Sequence, residues 1–74
     1  MTDLEWEQFT NTTRMWRGWY SGKIVAVAVD AGANGWRWAL LSGDTSPRTA
    51  PTLEWAQNAA GSAYRIARLG GRLA

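Results

Sequence analysis

The 74-residue chain has no cysteine and no histidine. Without cysteine, neither a disulfide nor a thiolate metal site can support the fold. Without histidine, the side chain that titrates nearest neutrality and the commonest zinc ligand are both missing. Lysine is nearly absent: seven of the eight basic residues are arginine. Long hydrophobic runs are absent too. The longest, Ile24 to Val29, has six residues, against the roughly 20 that a membrane-spanning helix needs. The opening Met1-Thr2-Asp3-Leu4-Glu5 is acidic and broken by charge, unlike a secretory or transit signal. These absences predict a soluble cytoplasmic protein with no membrane association.

Catalytic groupings are missing as well. The six carboxylates are scattered along the chain, whereas metal-dependent hydrolysis needs them convergent. Ser21, Ser42, Ser46 and Ser62 have no histidine to activate them. The glycine-rich segments 32–35 and 70–71 lack the lysine and serine spacing of a phosphate-binding loop. The expectation is a protein that is not an enzyme and that uses neither cofactor nor metal.

What the chain does have is tryptophan, six of them, with two Tyr and one Phe. A single domain of this length buries only about 60% of its unfolded surface, so its core has to be dense. Aromatics suit that need, because each can bury roughly 150–250 Å². The formal charge is +2 and unevenly spread. Asp3, Glu5 and Glu7 give the first eleven residues a charge of −3, and the remainder carries +5.

The pattern predicts strands over 4–9, 14–20, 23–30 and 36–41. Residues 4–9 alternate Leu4 and Trp6 with Glu5 and Glu7, which reads as a strand, although Thr2 to Glu5 also matches a helix capping box. Asn11 suits a left-handed turn position. Ser21-Gly22 is a two-residue hairpin loop. Residues 42–51 read as a connection. Thr52 is the expected N-cap of a helix over 53–69, with Glu54 in its first turn. Leu53, Ala56, Ala59, Ala60, Ala63, Tyr64, Ile66 and Ala67 share one broad helical face.

Counting back from the hairpin loop sets Tyr20 opposite Lys23, Gly18 opposite Val25 and Trp16 opposite Val27. Opposed residues share a face. Trp16, Val25, Val27 and Val29 then join Trp36, Trp38 and Leu40 on a bulky side. Met15, Arg17, Trp19, Ile24, Ala26 and Ala28 join Arg37 and Ala39 on the other. An alanine-faced helix fits against bulky tryptophans, so it should cover the Trp36 side. The expected fold is α+β: one domain over 1–74, an antiparallel meander of three or four strands, with one C-terminal helix on one face.

Function then rests on surfaces. Arg17, Trp19 and Arg37 mark the uncovered sheet face, and Arg65, Arg68 and Arg72 form a stripe on the helix. Arginine on an aromatic-bearing sheet can stack bases and hold phosphates. Equally, the arginines can lie over Trp19 and shield the sheet, and the helix stripe can be a solvated polar face. Asp3, Glu5 and Glu7 read as a solvated edge. Trp55 lies at the margin of the helix's apolar arc.

The arrangement resembles a type of very small protein that recurs in phages and prophages. In that type a tryptophan-bearing strand pairs with a valine-rich strand, a Gly-Trp-x-Trp strand follows, and Thr-x-x-x-Ala opens an alanine-rich helix. The matching residues are Trp16 with Gly18, Gly22, Val25 to Val29, Gly35-Trp36-Arg37-Trp38, and Thr52-Leu53-Glu54-Trp55-Ala56 with Ala59 and Ala60. Anti-CRISPR proteins are prominent in that class. They share no common motif, so no functional residue transfers. The resemblance implies an inhibitor that docks on a host CRISPR effector complex and blocks its binding to target DNA. The slightly basic balance favours docking on a protein subunit over imitation of the duplex. A small nucleic-acid-binding protein using the same Arg/Trp sheet face is the alternative.

Overall fold

The computed structural model describes residues 4–9, 11, 14–43 and 45–70. Five strands run in chain order: β1 Glu5–Gln8, β2 Met15–Tyr20, β3 Lys23–Asp30, β4 Trp36–Leu40 and β5 Arg48–Ala50. Each pairs antiparallel with the next, giving one sheet in the order β1-β2-β3-β4-β5. The helix α1, Leu53–Leu69, follows and packs on β3, β4 and β5. The fold is α+β, and the sheet has five strands where three or four were expected. The extra strand, β5, lies inside the segment read as a connection. Three residues, Arg48-Thr49-Ala50, are too few to show an alternating pattern.

Local chemistry accounts for the joints. Ser21 and Gly22 both have positive φ, 50° and 78°, as the tight two-residue turn favoured between twisted strands requires. Asn11 is also left-handed, at φ 71°. The Thr52 hydroxyl accepts a hydrogen bond from the Trp55 amide at 3.1 Å and caps α1. Gly35, at φ 81°, lies so close to β5 that a Cβ there would collide with the Ala50 carbonyl oxygen.

The register departs from the simple count at one place. Tyr20 pairs with Lys23 and Trp19 with Ile24, but Gly18 pairs with Ala26, leaving Val25 as the extra residue of a β-bulge. Beyond it Arg17 meets Val27, Trp16 meets Ala28 and Met15 meets Val29. A one-residue slip exchanges the two faces of a strand. The expectation that Val27 and Val29 lie under the helix is therefore overturned. Ala26 and Ala28 take their place, and both are fully buried. Val25, at the bulge itself, stays in the core.

The covered face is a trough of small residues with large walls. One cross-strand row reads Trp6, Gly18, Ala26, Leu40; the next reads Gln8, Trp16, Ala28, Trp38, Arg48, with its polar ends at the sheet edges. Ala56 and Ala60 of α1 join Ala26 and Ala28 in the buried core. Trp38 is 6% exposed, and burying an indole of roughly 200 Å² is worth on the order of 5 kcal/mol at about 25 cal/mol per Å². Trp36, half-buried, packs against the same core, as expected. Tyr20 meets Tyr64 of α1 with ring centroids 5.3 Å apart. One helix position was misplaced: Ile66, read as part of the buried arc, is 64% exposed. The helix centres on Ala56, Ala60 and Ala67, and Ile66 falls on the flank of that stripe.

Candidate binding surface

The helix covers one face of the sheet, and no described element packs on the other. Three cross-strand rows make up that open face. Glu5, Trp19 and Ile24 form the first; Glu7, Arg17, Val27 and Ala39 the second; Met15, Val29, Arg37 and Thr49 the third. The sheet therefore holds Arg17, Trp19 and Arg37 on the face assigned to them from the sequence. The floor between them is different. It is made of Val27 and Val29, both half-buried, with Met15, instead of Ala26 and Ala28.

Arg17 is not a free cation. Its Nε donates to Glu7 Oε1 at 2.7 Å, and its guanidinium lies 4.6 Å from the Phe9 ring centroid and 5.7 Å from that of Trp19. Trp19 Nε1 donates to the same Glu7 oxygen at 3.2 Å. Phe9, Glu7, Arg17 and Trp19 thus form one interlocked cluster. Sequence reasoning missed Glu7 and Phe9, taking Glu7 for a solvated edge. The structure sets Glu7 opposite Arg17, an opposite-charge cross-strand pair; a symmetric fold-back of 4–9 on 14–20 would set Glu7 opposite Trp16, so only the actual register reveals the pair. The ion pair is partly exposed and worth at most about 1 kcal/mol; its larger effect is to hold the guanidinium against the Phe9 and Trp19 rings.

Arg37 behaves differently. It is exposed, flanked by Val29 and Thr49, and pairs with no carboxylate among the described residues. Arg17 and Arg37 stand two strands and one row apart, with Val27 and Val29 between them, so they do not converge on one ligand atom. Asp30 ends β3 opposite Trp36, next to the open-face row of Val29 and Arg37. It forms an ion pair with Arg14 at 3.4 Å and accepts a hydrogen bond from the Gly32 amide at 2.8 Å. A shallow depression of about 370 Å³ lies there, lined by Val29, Asp30, Ala31 and Arg37.

The helix arginines do not join this face. Arg65 and Arg68 are exposed on α1, across the sheet from Arg37, and the Arg68 guanidinium sits 4.5 Å over the Tyr20 ring. Arg72 and Asp3 lie outside the described residues. The five described residues of the six singled out from the sequence therefore divide between two sides of the molecule, Arg17, Trp19 and Arg37 on one and Arg65 and Arg68 on the other. Among the described residues no three acidic or metal-ligating side chains cluster, and no helix is long and apolar enough to cross a membrane. In comparison with known proteins, the chain matches no family model, no curated protein and no solved structure.

Proposed function

We propose that this is a non-enzymatic binding protein whose working surface is the open sheet face, and that its partner is a protein complex in the host bacterial cytoplasm. The observation that carries the reading is the strip of Met15, Val27, Val29 and Ala39, left uncovered beside the exposed Arg37. An apolar centre with an arginine at its margin is the composition of a protein–protein contact. A phosphate-binding face needs several uncompensated cations, and here Arg17 is held by Glu7 and Arg14 by Asp30. Charge therefore favours a protein partner over bare nucleic acid. The resemblance to small phage proteins names the first partner to try, a CRISPR effector complex whose target-DNA binding this chain would block.

The test adds the purified protein to a purified effector complex and measures target-DNA binding. Inhibition by the native chain, lost in Arg37→Glu and in Val27→Asp, supports the proposal. Inhibition that both variants retain removes the open face from the account. Oligonucleotide binding by the chain alone, weakening steeply with salt, would instead support the nucleic-acid alternative.

A further inference from the structure

A second apolar surface runs along the outer flank of α1, away from the open sheet face. Trp55, Ile66 and Leu69 are 62%, 64% and 77% exposed. With Ala59 and Ser62 they fall at alternating steps of four and three residues, the spacing of a coiled-coil seam. A helix has no need of such a second stripe to hold its own sheet, since Ala56, Ala60 and Ala67 already do that. Beside the seam, a groove of about 350 Å³ between α1 and the β4–β5 side, lined by Trp38, Leu40 and Ile66 among others, continues the apolar surface.

The seam is nearly symmetric about Ser62. Trp55 lies seven positions before it and Leu69 seven after; Ala59 lies three before and Ile66 four after. Turned end for end, a second copy sets its Leu69 against Trp55, its Ile66 against Ala59, and its Ser62 against Ser62. Small residues meet large ones or each other, as close helix packing requires. Charge selects the same orientation. Arg65 flanks the seam in its C-terminal half, and Asn58 and Glu54 flank it in the other. End-for-end pairing brings like flanks together and places Arg65 beside Asn58 of the second copy, a turn from its Glu54, whereas pairing in the same direction would turn Arg65 toward the opposite flank, Ala56, Ala63 and Gly70, which carries no carboxylate. We propose that this flank is a self-association surface and that two copies pair antiparallel through α1, with Ser62 at the two-fold axis.

Three large exposed side chains and their margins offer on the order of 500 Å² per copy, so the pair buries about 1,000 Å², the lower end for specific interfaces. The dimer is therefore expected to be concentration-dependent. Sedimentation of the full chain should show a mass rising from 8.2 kDa toward twice that value as concentration increases. Ile66→Glu, at a site already in water, should leave the circular dichroism unchanged and raise the midpoint concentration by at least about tenfold. Because the native chain has no cysteine, Ser62→Cys should oxidise to a covalent dimer, while Ser21→Cys at the hairpin tip should not. A chain that stays monomeric at millimolar concentration, a dimer indifferent to Ile66→Glu, or disulfide yields no higher at position 62 than at 21 would overturn the proposal.

Discussion

The two faces of this sheet use opposite materials. Under the helix lie Gly18, Ala26 and Ala28, walled by Trp6, Trp16 and Trp38. On the open side lie Met15, Val27 and Val29, with arginines at Arg17 and Arg37. A covered face must match the volume of what covers it, so small residues are placed where the helix comes closest. An open face has no such constraint, and its branched side chains serve strand formation and contact. The bulge at Val25 decides which set faces which way.

Large effects belong to the covered side. Trp38→Ala should cost about 3–5 kcal/mol in denaturant unfolding, while Trp19→Ala, half-buried on the open face, should cost markedly less. Near-equal losses would erase the contrast. Next in size is Ala28→Leu, which overfills the trough and should cost about 1–3 kcal/mol; Val29→Leu, one position on, should change stability by about 0.5 kcal/mol or less. Thr52→Ala, removing the cap of α1, should cost about 1 kcal/mol. Smallest is Glu7→Gln. It should lower stability by about 1 kcal/mol or less, yet release the Arg17 guanidinium, to be read as a change in Trp19 fluorescence.

Much of this was legible in the sequence. The Ser21-Gly22 turn, the Thr52 cap and the alternation of Trp36, Trp38 and Leu40 each express a local rule, and each holds. The helix-covered identity of Trp38 followed from the alternation together with the alanine face of the helix. The valines were misplaced because a bulge leaves no mark in a run of alternating Val and Ala: both phases of Ile24 to Val29 are apolar. Only the volume of the opposing helix distinguishes them, and that is a tertiary property. Strand β5 was missed because three residues carry no period, and Ile66 because its neighbours Tyr64 and Ala67 widened the apparent arc. On the candidate surface Arg17, Trp19 and Arg37 were placed on the correct face of the sheet. The engagement of Arg17 by Glu7 was not seen, since it depends on the β1–β2 register across a turn of undetermined length.

The face assignment itself can be measured directly, because the chain offers a cysteine-free background. Single cysteines at positions 26, 27, 28 and 29 would be labelled with a thiol reagent under native conditions and their rates compared. The bulged register predicts fast labelling at 27 and 29 and protection at 26 and 28. Fast labelling at 26 and 28 with protection at 27 and 29 would contradict it, and would return the valines to the core.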